Sequence, residues 1–480
     1  MFATTFLGHQ GWLFETERTR VLVDPLLRED FGQLHGLTYR VFPPRQLDPG
    51  AVPAIDALIL SHEHDDHFDI PSLALIDRQV PVYLSARSST AGHRILAEMG
   101  FTVHPLQPGI PLEIGDLEFV PYTGDHVSMT AGEEWDTLPF TVRQAQGAGS
   151  FFSLVDISLT PGHLIWARIH IPRPGLITWT NNAIDWSHMA NYLRERVEAT
   201  AQYIESMSTG HKAISSLWGQ PSATLLSAGG FAFHGERAWM NERVFCVDPT
   251  AVVAAMSKTF GKGRFFSTTP GQRFIMEGNR LRQTEDETPF LRTAPRDTWP
   301  TRGRAGTQTP PDYEPATGRR ALAPGEVERL ERGLAELAGA MVGGAVFRGL
   351  CSLLVVESEG RKQTMALALR DGGSTRVYEY HLQGCAFHAV TCEHPDETYL
   401  AVMECWASDL LAVLEGELAA IGIMFGRARL WNALPGRFGF DPFSELWRVG
   451  HPLRRPDGAL RAYRRLWAAH VGTAPVIGRR

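Results

Sequence analysis

Residues 1–283 alternate short apolar runs with polar turn residues, a pattern typical of β-strands joined by loops. Two longer stretches carry apolar side chains at helical spacing and predict helices. The predicted strands are 20–23, 57–60, 80–84 and 117–120, and the predicted helices are 88–99 and 186–207. Strands in sequence, with helices between and outside them, favour an α/β fold of packed sheet and helix layers.

The pattern changes near residue 284, where prolines recur among charged and small residues and apolar side chains become few. Such a segment cannot bury a core, so residues 284–325 are predicted to be a linker or a segment that lies along the surface of a domain. Beyond it, a smaller α+β domain is predicted at 326–440, followed by a basic, tryptophan-bearing tail at 441–480. Helices are predicted there at 327–341 and 409–418, and strands at 352–357, 363–369 and 375–380.

Composition narrows the range of partners. The length of 480 residues exceeds one ordinary core and supports two or three folding units. The net charge of −7 is spread along the chain without a long basic run, which argues against nucleic acid as a partner.

No window is apolar enough to span a bilayer and the N-terminus lacks a signal-peptide pattern, so we expect a cytoplasmic protein. The five cysteines are irregularly spaced without a CxxC pair, which favours reduced thiols.

The strongest chemical signal follows the apolar run 57–60, where the sequence has the pattern His62-x-His64-x-Asp66-His67. Imidazole nitrogen and carboxylate oxygen are ligands of zinc, iron and manganese, and a loop after a strand can direct several short side chains to one point. A solvated polar loop would explain any single histidine, but gathering four such groups without a cation is costly. The spacing lets His62 and His64 face one ion, while the adjacent residues Asp66 and His67 turn toward a second ion. We therefore predict a two-metal site.

With this motif, a Gly8-His9 turn and a strand ending in Asp24-Pro25, residues 1 to about 280 resemble the metallo-β-lactamase superfamily. Within it they look most similar to the branch of N-acyl-phosphatidylethanolamine phospholipase D and the ascorbate-phosphate lactonases, which opens with the same turn and strand end. The resemblance implies an αββα sandwich that binds two divalent metal ions, zinc being favoured over iron.

The resemblance also implies roles for the motif residues. His62 and His64 are expected to bind one ion, and Asp66 and His67 the other. Asp24 is expected to orient a ligand imidazole from behind. The next ligand of the family is a histidine that follows a Gly-Asp hairpin and its strand, a place that His126 takes in this sequence.

Beyond His126 the chain departs from the family pattern. The family has a bridging aspartate at the end of a strand, where this sequence has Asn182. A neutral amide oxygen is a weaker ligand than a carboxylate, so either Asp185 supplies the charge or the second metal is held loosely. We favour Asp185. The family's last metal histidine is also missing, since Thr269 lies in the corresponding stretch. His234 is either a substitute ligand or an ordinary loop residue, and a mononuclear site, an altered dinuclear site and lost catalysis all remain open.

Residues 326–440 resemble sterol-carrier-like lipid-binding folds, in the order of helix and strands and in the stretch 407–427. Those folds hold an apolar tunnel beside a buried helix, which would suit an acyl chain. A dimerisation or scaffolding domain is an equal alternative, so formation of a homo-oligomer remains open.

These features predict a metal-dependent hydrolase of an ester or phosphoester, with a small-molecule or lipid-like substrate. Asp66 would hold and deprotonate the attacking water. An exposed acid would protonate the leaving group, the candidates being Glu133, Glu134, Asp136 and His234. Two other classes remain open: a non-haem diiron oxygenase on the same fold, and a binding protein with a residual metal loop.

Overall fold

The computed structural model describes the chain except for residues 36, 123–135, 146, 148, 158, 171–172, 182–183, 185–198, 246, 303–311, 354–359 and 433–442. Its strands are β1 (Phe2–Gly8), β2 (Gly11–Glu15), β3 (Arg20–Val23), β4 (Asp30–Phe31), β5 (Tyr39–Val41), β6 (Arg45–Leu47), β7 (Ala57–Leu60), β8 (Val82–Ser85), β9 (Val103–Leu106), β10 (Leu112–Ile114), β11 (Leu117–Pro121), β12 (Phe140–Gln144), β13 (Ser150–Ser153), β14 (Leu176–Thr180), β15 (Ala223–Ser227), β16 (Phe231–Phe233), β17 (Phe265–Ser267), β18 (Arg273–Glu277), β19 (Arg280–Glu285), β20 (Leu291–Thr293), β21 (Lys362–Asp371), β22 (Ser374–His381), β23 (Ala386–Val390), β24 (Tyr399–Trp406) and β25 (Ala428–Asn432). Its α-helices are α1 (Ile70–Leu73), α2 (Thr90–Glu98), α3 (Pro161–His170), α4 (Ala199–Trp218), α5 (Pro249–Phe260), α6 (Pro324–Met341), α7 (Ala345–Leu353), α8 (Pro395–Thr398), α9 (Ala407–Leu414), α10 (Ile421–Met424), α11 (Phe443–Gly450) and α12 (Pro456–Ala468).

The first large sheet has the strand order β19-β18-β1-β2-β3-β7-β8-β9. Strands β3, β7, β8 and β9 run parallel, so their carboxyl ends lie at one edge of the sheet. In β7, Ala57 and Ile59 belong to one core cluster and Leu58 and Leu60 to another. Both faces of this strand are therefore buried, which explains its unbroken apolar run.

The second large sheet has the order β10-β11-β12-β13-β14-β15-β17, and its strands β13, β14, β15 and β17 are parallel. Aromatic side chains fill the space between the two sheets. The ring of Phe14 in β2 lies 4.9 Å from that of Phe151 in β13 and 5.7 Å from that of Phe119 in β11. Edge-to-face contacts of this kind add to the stabilisation that burial of the rings provides.

Helices cover the outer face of each sheet. Helices α1, α2 and α12 share an apolar cluster with the first sheet, through residues such as Leu73, Ile95 and Leu460. Helices α3, α4 and α5 share another with the second sheet. The order of layers is helix, sheet, sheet, helix, which confirms the predicted αββα sandwich.

The C-terminal part of the chain forms a five-stranded sheet in the order β23-β22-β21-β24-β25, covered by α6 and α9. This smaller α+β unit confirms the second part of the predicted fold class. Its core continues into a small sheet of β16, β5 and β4, where the ring of Tyr39 lies 5.6 Å from that of Phe425. The two parts of the chain therefore share one apolar interface.

Most elements predicted from the pattern are present, with shifted ends. Strands 20–23 and 57–60 are confirmed as β3 and β7, and helix 88–99 as α2. The strand predicted at 352–357 is wrong at its start, because α7 continues to Leu353, and its remainder lies outside the described residues. Residues 186–198 of the predicted helix lie outside them as well, and α4 is described from Ala199.

The predicted linker and tail contain ordered elements. Residues 291–293 form β20, which pairs with β6, and the last 40 residues include α11 and α12. The domain bounds themselves stay predictions.

Among the described residues, no single helix is long and apolar enough to cross a bilayer, although α6 and residues 346–352 pass that test together as a pair bent by 70°.

Candidate metal centre

The histidine motif lies in the loop that joins β7 to α1. His64 turns the chain, since its carbonyl oxygen accepts hydrogen bonds from the backbone N–H groups of His67 and Phe68. The loop ends at Asp69, whose carboxylate caps α1 by accepting a hydrogen bond from the Ser72 N–H at 2.9 Å. A strand end and a capped helix thus fix both ends of the motif.

His62 and His64 face one another across the loop. Nε2 of His62 lies 3.0 Å from Nδ1 of His64, and His62 is fully buried. Burial, together with the nearby His67 and His64 rings, lowers the pKa of His62 well below its usual value. A neutral imidazole keeps a lone pair for a metal ion, so these two nitrogens form one possible cation position.

A second group of ligand atoms comes from four residues: His9, Asp66, His67 and Asp156. One possible ligand atom from each lies within 4.8 Å of those of the other three. Nε2 of His9 lies 2.7 Å from Oδ2 of Asp66, and Nε2 of His67 lies 2.7 Å from Oδ2 of Asp156. These contacts join the β1–β2 turn, the motif loop and the segment after β13.

Asp24 lies behind this group and orients it. Its Oδ2 lies 2.9 Å from Nδ1 of His67, and its two oxygens accept hydrogen bonds from the N–H and hydroxyl of Ser61. The Ser61 hydroxyl is also 2.9 Å from Nδ1 of His62. One carboxylate therefore fixes the orientation of two imidazoles, in the position that the resemblance implies for Asp24.

The imidazoles and carboxylates of this group shift one another's pKa values. Burial by itself lowers the pKa of His67, but the nearby Asp156, Asp66 and Asp24 carboxylates raise it well above its usual value. Burial raises the pKa of Asp66, and the His67 and His9 imidazoles reverse this effect and lower it. Asp156 behaves in the same way, since His67 lowers its pKa against the effect of burial. Carboxylate oxygens available next to imidazoles are the donors that a divalent cation needs.

The donor set fits a divalent cation. Nitrogen and oxygen ligands bind such ions at about 2.0–2.2 Å, so ligand atoms on opposite sides of an ion are about 4 Å apart. Atoms confined within 4.8 Å of one another are close to that spacing. Nδ1 of His9 is buried and has no hydrogen-bond partner among the described residues.

Several residues that the sequence predicted cannot be assigned to this arrangement. His126, Asp185, Glu133 and Glu134 lie outside the described residues, as does Asn182. The prediction that Asp136 is an exposed acid is wrong. This residue is only 1% exposed, and its carboxylate accepts hydrogen bonds from the Glu63 N–H and the Ser88 hydroxyl.

His234 is also outside the cluster. It follows β16, its side chain is 39% exposed, and its Nε2 lies 3.7 Å from Oδ1 of Asp30. Conversely, sequence reasoning used His9 only as part of a turn and did not select Asp156. The available signal was weak, since Asp156 simply follows the mostly apolar residues 151–155 at the end of a strand of the second sheet.

A cavity of about 520 Å³ lies next to the backbone of the turn that carries His9. Ser227 and Ala228 line it, and the Ala228 N–H donates a hydrogen bond to the carbonyl oxygen of His9 at 2.6 Å. Thr269, at the place where the family's last histidine was expected, also lines it. Aromatic and cationic side chains line part of it, namely Phe42, Phe245, Trp299, Arg296 and Arg302, and serine and threonine residues line much of the rest.

Part of the chain is similar to known proteins. Residues 19–213 match the family model of the beta-lactamase superfamily domain. An uncharacterized protein of Mycobacterium tuberculosis is 32% identical over 83 residues, which are 17% of this chain and 22% of that protein. A metal-dependent hydrolase of Opitutus terrae is 40% identical over 63 residues, which are 13% of this chain and 22% of that protein. The chain thus spans about 22% of the length of these curated relatives.

Solved structures were compared as well. The isothiocyanate hydrolase from Delia radicum gut bacteria superposes with a TM-score of 0.40 and 12% identity, over 57% of this chain and 99% of that one. A diiron beta-hydroxylase from Streptomyces venezuelae gives a TM-score of 0.36 and 16% identity, over 57% of this chain and 54% of that one. The region that matches the beta-lactamase superfamily domain, residues 19–213, includes the whole histidine motif.

Proposed function

We propose that this protein is a metal-dependent hydrolase that cleaves an ester or phosphoester. The observation that carries the proposal is the cluster of His9, Asp66, His67 and Asp156 at the strand ends, together with the neighbouring pair of His62 and His64. Divalent cations bound there would lower the pKa of a coordinated water and polarise the scissile group. Zinc is favoured over iron and manganese for this role.

The residues of the chain have separate tasks in this proposal. His62 and His64 hold one cation, and Asp66 and His67 hold the other. Asp66 also accepts the proton of the attacking water. Asp24 keeps the His67 ring oriented through the 2.9 Å contact described above. A role for His234 as the proton donor stays a prediction, because its ring lies outside the cluster.

A small-molecule substrate with an apolar portion is supported by the adjacent cavity. The Phe42, Phe245 and Trp299 side chains line it, and the Arg302 guanidinium carbon lies 3.3 Å from the centre of the Phe42 ring. Aromatic side chains next to polar groups are typical of small-molecule sites. Lipid binding by the C-terminal unit, homo-oligomer formation and a cytoplasmic location stay predictions.

A diiron oxygenase is the second candidate. It is favoured by the two carboxylates, Asp66 and Asp156, next to imidazoles in the second group, because carboxylate-rich nitrogen and oxygen sites accept iron. Metal content separates the two candidates, since zinc without oxygen uptake supports the hydrolase and iron with an oxygen-dependent product supports the oxygenase.

The hydrolase is tested with the full-length protein, its metal content and a panel of p-nitrophenyl esters and phosphodiesters. We expect hydrolysis that a chelator abolishes and added zinc restores. His64→Ala should lower the rate at least about 100-fold, because it removes a ligand. His104→Ala is the matched control, as this histidine is exposed and stacks on Tyr83. A folded protein that hydrolyses the panel equally well after complete metal removal would contradict the proposal.

A further inference from the structure

We infer that His9 and Asp156 complete the second cation position, together with Asp66 and His67. The inference rests on the proposed function, since it concerns the same metal centre. It assigns ligand roles to one residue of the β1–β2 turn and to one residue that follows β13.

The first argument is distance. One candidate ligand atom of each of the four residues lies within 4.8 Å of the other three, and the two imidazole–carboxylate contacts are both 2.7 Å. An ion with bonds of about 2.1 Å needs its ligand atoms about 3–4 Å apart. Small side-chain rotations of His9 and Asp156 are enough to convert these contacts into coordination.

The second argument is that three carboxylates of like charge are buried close together. The side chains of Asp24 and Asp156 are 1% and 5% exposed, and that of Asp66 is 10% exposed, all around the one ring of His67. Gathering three carboxyl groups in a dry site is unfavourable unless positive charge lies among them. A divalent cation between Asp66 and Asp156 supplies that charge.

The third argument is that hydrogen bonds of the Gln10 side chain hold the segments of both residues in place. Gln10 donates hydrogen bonds to the Val155 carbonyl at 2.9 Å and to the Thr180 hydroxyl at 2.7 Å, and accepts one from Ser227. The turn that carries His9 is therefore tied to the ends of β13, β14 and β15. A ligand set needs this kind of preorganisation, because a misplaced donor loses its metal bond.

Strain in the backbone is concentrated at the same positions. His9 and Val155 both have φ values of 54°, and Ala228, whose N–H binds the His9 carbonyl, has a φ of 62°. A left-handed conformation is unfavourable for a non-glycine residue and occurs mainly at functional sites. Gly8 precedes this turn with a φ of 109°, and a Cβ there would lie 2.6 Å from Val41. The conformation thus directs the His9 ring toward Asp66.

The experiment measures metal stoichiometry and affinity, independently of activity. Metal-free full-length protein is titrated with zinc by calorimetry, and the cobalt-loaded protein is followed by its visible absorption. We expect two equivalents for the wild type. His9→Ala and Asp156→Asn should each keep the first equivalent and bind the second at least about 100-fold more weakly, because loss of a ligand costs at least as much as loss of an orienting residue. The cobalt absorption of the second position should change in both variants.

The control variants are His234→Ala and His104→Ala, both of which should retain two equivalents. Asp156→Asn keeps the volume of the side chain, so it tests the inference even where His9→Ala does not fold. Two unchanged equivalents in both ligand variants would overturn the inference, as would a wild type with a single equivalent that depends only on His64. A wild type that binds no metal would overturn the proposed function as well.

Discussion

At the residue scale, the centre depends on side chains that orient the ligands without binding a metal themselves. Asp24 is 1% exposed, has a positive φ of 44°, and connects Ser61 to His67. Its neighbour Pro25 and the preceding strand β3 place it at the end of the first sheet. The sequence predicted this role through a resemblance, and the described hydrogen bonds agree with it.

Asp24→Asn should weaken binding of the second metal equivalent by about 10–100-fold, because an amide orients the His67 ring less well and leaves it less basic. Competition with a chromophoric chelator measures the affinity. Asp116→Asn is the matched control, since Asp116 is a buried carboxylate that binds Thr16 and Thr19 outside the cluster. An Asp24 variant with wild-type affinity for both equivalents would show that the carboxylate has no orienting role.

At the element scale, helix α4 packs closely on the second sheet. Gly210 faces the Trp179 ring of β14, where a Cβ would lie 2.1 Å from the ring. The next residue, His211, is 1% exposed, and its ring lies 4.6 Å from Phe260 and 5.0 Å from Phe265. Neither ring nitrogen has a hydrogen-bond partner among the described residues. Burial, with a smaller effect of Arg264, lowers the pKa of His211 to about 4.

The acid stability of the fold should therefore depend on His211. The unfolded chain binds this proton near pH 6.5 and the folded chain only near pH 4, so stability falls as the pH decreases between these values. His211→Leu should remove this contribution and narrow the stability difference between pH 7 and pH 5 by about 1–2 kcal/mol. Urea unfolding at both pH values measures it. An unchanged pH dependence would mean that His211 is protonated without cost in the folded protein.

At the scale of the whole molecule, the end of the chain returns to the N-terminal sandwich. Helix α12 lies in the outer helix layer, where the ring of Tyr463 is 5.6 Å from that of Phe68 and its hydroxyl is 3.4 Å from Glu63. Isolated bridges join Ile477 to Ile76 and Arg479 to Ile55. The residues predicted to be a tail thus cover the loop of the histidine motif from outside.

Tyr463→Ala should lower the free energy of unfolding by about 3–5 kcal/mol, because it leaves a cavity of aromatic size in that layer. Denaturant unfolding of the metal-free protein measures this effect without a contribution from metal binding. Arg464→Ala, one residue further on, should have little effect, since its ion pair with Glu98 is exposed to solvent. Equal stability of the Tyr463 variant and the wild type would show that α12 contributes nothing to the sandwich.

The amino-acid sequence by itself determined those features that local patterns encode. Apolar runs such as 57–60 predicted strands because a strand buried on both faces must be apolar throughout. The motif from His62 to His67 predicted a metal site because its spacing alone brings the ligands to one loop. The layered α/β fold followed from the order of these elements.

The tertiary structure decided what depends on contacts between distant segments. His9 and Asp66 are 57 positions apart and His67 and Asp156 are 89 positions apart, and no local pattern relates them. Helix α12 joins the first sheet's outer layer almost 400 residues after α1, which is why its role was missed. Helical propensity and polar spacing act over a few residues, whereas closing the two sheets face to face brings these groups together only in the folded chain.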